Sequence, residues 1–115
     1  MIFKEKTMSL VESKCEPCRG DTPPLTGEEA CMLAAETPGW DIGKKSMERE
    51  FVFGNFGEAI SFVNKVAEIA ESEDHHPDIL LHSYKKVKID LTTHKIDGLS
   101  KNDFILAAKI NGLMS

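Results

Sequence analysis

Two histidines stand side by side in the stretch Glu71-Ser72-Glu73-Asp74-His75-His76-Pro77. Imidazole titrates near pH ~6.5, so at neutral pH one ring can take up a proton while another releases one. Carboxylates flank the pair: Glu71 lies one helical turn before His75, and Asp74 is adjacent, both able to hold a ring tautomer. This is an inventory for general acid-base catalysis. On their own the two residues leave a second reading open, a solvated polar turn without chemistry.

A third imidazole, His94, closes an alternating segment after Thr92 and Thr93, where a sheet would bring it near the first two. Zinc is disfavoured, because adjacent histidines lack the i,i+4 spacing of a helical ligand pair and no cysteine pair lies nearby. Cys15 and Cys18 have the spacing of half a zinc site or a redox pair. The chain has neither a second such pair nor the strand-to-helix setting of a thioredoxin motif, so local packing is expected. His82 falls inside an apolar run and reads as a sheet-face residue outside the site.

The elements around these residues decide where they point. Residues 1–24 show no periodicity and end in Pro23 and Pro24, which predicts an N-terminal arm before a single domain over 25–115. Thr26 with Glu29 starts a short helix that ends before Pro38 and Gly39. The runs GWDI and SMEREFVF, joined across GKK, predict a hairpin with Met47, Arg49, Phe51 and Phe53 on one side. Next comes the longest helix, capped by Asn55, with Phe56, Ala59, Ile60, Val63, Val66, Ala67 and Ala70 as its apolar stripe. Proline disfavours helix in the preceding residue, so His75 and His76 belong to a helix-to-strand turn, where two side chains can converge. DILLHSY and KVKIDLTT predict a second hairpin ending at His94, and Ser100 with Asp103 opens a last helix. Short links favour antiparallel pairing, so the expected class is α+β, helices covering one face of the sheet.

Composition narrows the function classes. A chain of 115 residues builds one core. Its charge of -5 and lack of a basic face argue against nucleic-acid binding. No apolar run reaches the length of a membrane span or of a secretion signal, and the odd cysteine number does not suit a disulfide framework. The cytoplasm is the expected compartment.

The spaced set Glu71, His75, His76, Pro77, Tyr84, His94 and Asp103 resembles the signature of the pterin-4a-carbinolamine dehydratases. The likeness continues through PPLTGEEA and PGW, then through HHPDI and LTTHKIDGLSKNDFILA, covering about Cys15 to Asn111. It implies a four-stranded antiparallel sheet with helices on one face, and assembly as homodimer or homotetramer. The implied reaction is loss of water from 4a-hydroxytetrahydropterin to the quinonoid dihydropterin, in tetrahydrobiopterin recycling, with no metal or redox cofactor. In that role His75 and His94 protonate the leaving hydroxyl, and His76 holds the ring and assists as a base. Glu71 and Asp74 would orient the histidines, Pro77 would shape their turn, and the backbone at Thr92 and Thr93 would contact the pterin edge. Asp103 would support the site; Trp40 stands either as a wall of the cleft or as a core residue, and Tyr84 as a sheet residue. Animal members carry a tryptophan two residues after the proline, where this chain has Ile79, so stacking there is not expected. Two further roles go with the resemblance, an oligomeric dimerisation cofactor for another protein and a dehydratase-like function in molybdopterin metabolism.

Overall fold

The computed structural model describes residues 10–13, 15 and 23–114. Helix α1 (Gly27–Ala34) begins where Thr26 and Glu29 satisfy each other: the Glu29 amide donates to the Thr26 hydroxyl at 3.1 Å, and the Thr26 amide donates to the Glu29 carboxylate at 2.9 Å. After a turn through Pro38 and Gly39 the chain enters β1 (Asp41–Ile42) and β2 (Met47–Val52). Helix α2 (Phe56–Glu73) starts on Asn55, whose side chain accepts from the Glu58 amide. Strands β3 (Asp78–His82) and β4 (Lys86–Leu91) form the second hairpin, and α3 (Lys101–Gly112) completes the chain.

The four strands lie in the order β1-β2-β4-β3, each pair antiparallel. Strands β2 and β4 sit at the centre, in a register that pairs Met47 with Leu91 and Phe51 with Val87. Alternation with period two sends Met47, Phe51, Val87, Ile89 and Leu91 into the core. Ala59, Phe62, Val66 and Ala70 of α2 and Phe104, Ile105, Leu106, Ala107 and Ile110 of α3 meet them there. Glu48, Glu50, Lys88, His82 and Leu80 take the other face, so the helices cover one side of an α+β sheet as expected.

Several boundaries differ from the sequence reading, for local reasons. Strand β1 is two residues long and excludes Trp40. Ser83 and Tyr84, expected in a strand, both have positive φ and make the β3-β4 turn. β4 stops at Leu91, and His94 opens a 3-10 turn (His94–Ile96) rather than ending a strand, because Thr93 pairs with Gly98 around a left-handed Asp97. The apolar stripe of α2 is wider than its contact with the sheet: Phe62 turns inward, while Phe56 (52% exposed), Ile60 (38%) and Ala67 face out.

Two contacts pin the periphery to this core. Leu10, in a 3-10 turn (Leu10–Glu12), is 2% exposed, and its amide donates to Glu36. At the PGW turn Asn111 of α3 accepts from the Trp40 indole at 2.8 Å and from Arg49 at 2.7 Å, and donates to the Pro38 carbonyl. Gly39 has φ +89, a conformation that favours glycine, and a Cβ there would displace the Arg49 guanidinium, 2.8 Å away.

Candidate active site

The last turn of α2 aims the histidines. Asp74 adopts the left-handed conformation, its amide donating to Glu71 and the His75 amide to Ala70, a Schellman closure that reverses the chain in one residue. Pro77 then prevents the helix from resuming. His75 is thrown inward, with 13% of its side chain exposed, and its Nε2 lies 2.6 Å from Asp103 Oδ1. Its neighbour goes the other way: His76 is 56% exposed and meets Glu71 at 2.5 Å. The two rings therefore contact different carboxylates. Glu71 holds His76 rather than His75, because five helix-and-turn residues, not four, bring it alongside a ring outside the helix.

Asp103 is the fixed point. It lies in the first turn of α3 with no side-chain exposure, where the helix N-terminus favours negative charge. Its Oδ2 accepts from the Thr93 hydroxyl at 2.8 Å and from the Ser100 amide at 3.0 Å. The Thr93 proton is committed to Asp103, so Ser100 Oγ, 2.7 Å from Thr93 Oγ1, donates to it. With both donors on Oδ2, Oδ1 is left to accept from His75 Nε2–H. The contact fixes the plane of the His75 ring and leaves Nδ1 as the nitrogen not engaged by Asp103.

His75, Thr93 and Asp103 thus form one network, from the α2 end, the β4 exit and the α3 start. His94 follows Thr93 immediately and is exposed; Asp74 and Pro77 enclose the histidine pair through their backbone conformations. Thr92 turns away, donating its hydroxyl to the Lys45 carbonyl at 2.5 Å. Trp40 is buried against Phe51 and bonded to Asn111, eight residues along α3 from Asp103, ~12 Å by helical rise. The structure does not bring it to the histidines. Ser100 is a member of the network that sequence reasoning used only as a helix cap; a Ser-x-x-Asp cap soon after Thr-Thr-His was the available signal.

Among the described residues no three His, Cys, Asp or Glu are grouped to hold a metal ion. A cavity of about 300 Å³ lined by Phe53, Glu58, Phe62, Lys65 and Leu113 lies at the far end of β2 from Met47, remote from the network. Cys31 is exposed, and Cys18 lies outside the described residues.

Comparison with known proteins identifies the family. The sequence pattern of the family described as Pterin 4 alpha carbinolamine dehydratase matches residues 23–113. Relatives carrying that family's name include one from Rubrobacter xylanophilus, 48% identical over 90% of this chain and 97% of its own length. Another, from Halorhodospira halophila, is 49% identical over 92% of this chain and 98% of its own. A crystal structure described as a transcriptional coactivator/pterin dehydratase from Brucella melitensis superposes with TM-score 0.74 at 31% identity, covering 80% of this chain and 99% of that one. A pterin dehydratase-like protein identified as a RuBisCO assembly factor in the alpha-carboxysome shares the fold, with TM-score 0.57 at 22% identity over 68% of this chain and 92% of that one. The match across nearly the whole domain and the close relatives place this chain in the pterin 4 alpha carbinolamine dehydratase family.

Proposed function

We propose that the chain dehydrates 4a-hydroxytetrahydropterin by histidine acid-base catalysis, regenerating the quinonoid dihydropterin that a reductase returns to the tetrahydro form. Family membership supports the reaction, and the contact of His75 with the buried Asp103 is the observation that carries the mechanism. In the reaction the N5–H proton leaves to a base, the C4a–O bond breaks, and a second proton converts the departing hydroxyl to water as the C4a=N5 bond forms. Groups titrating near neutrality suit both transfers. His75 works through Nδ1, with Asp103 preventing the ring from swinging or exchanging tautomers. His94, exposed beside Thr93, protonates the hydroxyl from the other side, and His76, held by Glu71, steadies the pterin and assists as base. The protons and the carbon-oxygen bond are handled by side chains alone, so the reading includes no cofactor.

Enzymatically generated carbinolamine should lose water faster with the protein than without it, and His76→Ala should slow that loss by roughly tenfold or more. An undiminished rate in this variant would remove His76 from the site.

Assembly as a homo-oligomer belongs to the same reading. Phe56 and Ile60 leave an apolar strip on the outer side of α2 that a second copy would cover. Light scattering giving the mass of one chain would reject it.

A further inference from the structure

The dyad joins two helix ends, and a third segment touches both of them. Glu73, the last residue of α2, is two positions before His75; its side chain is 5% exposed although it carries a carboxylate. Oε1 accepts from the Cys15 amide at 2.7 Å, and Oε2 faces Lys109 of α3 at 3.9 Å, a cation that is itself only 18% exposed. The Cys15 Sγ lies 3.6 Å from the Asn102 carbonyl, one residue before Asp103. Cys15 therefore straddles the dyad's two supports, its amide on the α2 end that carries His75 and its thiol on the α3 start that carries Asp103.

A buried carboxylate is expensive unless paired and hydrogen-bonded, so a chain that needed only packing here would do as well with two apolar residues. We propose that Glu73 and Cys15 are positioning residues that clamp the α2 end against the α3 start and hold the His75–Asp103 separation at its working value. Glu73 acts through the left-handed Asp74, which transmits any tilt of the helix end to the His75 ring. The Cys15 thiol is pushed up to about 12, first by burial and then by the Glu73 charge, so it stays protonated and donates to the Asn102 carbonyl. This clamp gives the CxxC-spaced Cys15 a use that is neither metal binding nor redox chemistry. The inference rests on the proposed acid-base role of His75, and its test includes a readout independent of turnover.

Three variants of the full chain decide it. Glu73→Leu with Lys109→Leu removes the acceptor for Cys15 without stranding a buried charge; Cys15→Ala removes the thiol contact; Glu73→Gln keeps an acceptor. Turnover is measured alongside nitrogen-15 resonances of the histidine rings, with His82, bonded to Glu50 at 2.6 Å on the solvent face, as internal control. The double variant is expected to lose about tenfold in kcat with KM within about twofold, the cost of a small misplacement. His75 ring signals should move while those of His82 stay, and Glu73→Gln should remain near wild type. His75 signals that coincide with wild type in the double variant overturn the proposal, whatever happens to turnover. Should the double variant not fold, Cys15→Ala decides: shifted His75 signals support the clamp, and unchanged signals reject it. A wild-type protein that dehydrates no carbinolamine refutes the proposed function, and the ring signals still test the clamp.

Discussion

Asp103 carries more of the site than its place in a helix cap suggests. One carboxylate closes the first turn of α3, holds the Thr93 hydroxyl and accepts from His75, and it is fully buried while doing so. Asp103→Asn tests these functions separately. The amide oxygen can still accept from Thr93 and Ser100, but the amide nitrogen then faces His75 Nε2 and drives the ring proton to Nδ1. We expect the fold to survive and kcat for dehydration to fall by roughly 10²-fold, a typical loss when a general acid-base group is misassigned. A variant with wild-type kcat in a stopped-flow dehydration assay would show that the ring tautomer is irrelevant to turnover.

At the scale of elements, the sheet places like charges opposite each other on its open face. Asp90 of β4 is paired with Glu48 of β2 and Asp78 of β3. Burial, then a hydrogen bond and the charge of Glu48, with a smaller push from Asp78, hold the Asp90 carboxyl above its ordinary value, and Lys88 only partly offsets them. An acid whose native pKa is raised stabilises the fold below its unfolded pKa, and that contribution is lost as pH rises through the native value. At pH ~7 the Asp90 charge is therefore unfavourable. Asp90→Asn should raise stability there by about 0.5 kcal/mol, roughly 2 °C in Tm, and the advantage should vanish near pH ~3. Thermal scans at the two pH values check this; an advantage of equal size at both would mean that charge is not the cause.

For the whole molecule, Leu10 and residues 24–25 pack on the same core as the sheet and helices. Leu10 is buried in the main core, Pro24 packs on Gly98, and the Leu25 amide donates to the Leu99 carbonyl. Leu10→Ala should cost about 2–4 kcal/mol, the range for a buried leucine whose site collapses incompletely. In urea the midpoint should fall with an unchanged slope, as for one two-state transition. A second transition would instead mean that the chain around Leu10 comes away on its own.

Element order, the sheet's inner face, the capping of all three helices and the histidine turn were legible because each follows from nearby residues: period-two alternation, a Ser, Thr or Asn before a helix, a proline after two histidines. The tertiary structure decided what those residues meet. Glu71 looked like the partner of His75 by helical spacing, yet the left-handed Asp74 swings that ring to Asp103, a residue 28 positions away. Trp40 looked equally suited to cleft or core, and its ring packs in the core against Phe51 with the indole bonded to Asn111. Glu73 carried no local signal, and the CxxC spacing of Cys15 pointed to nothing beyond local packing; only the tertiary packing of Cys15 between two helix ends makes them neighbours. Local conformation is written in short-range sterics and hydrogen bonding, whereas these pairings depend on where distant segments come to rest on the same core.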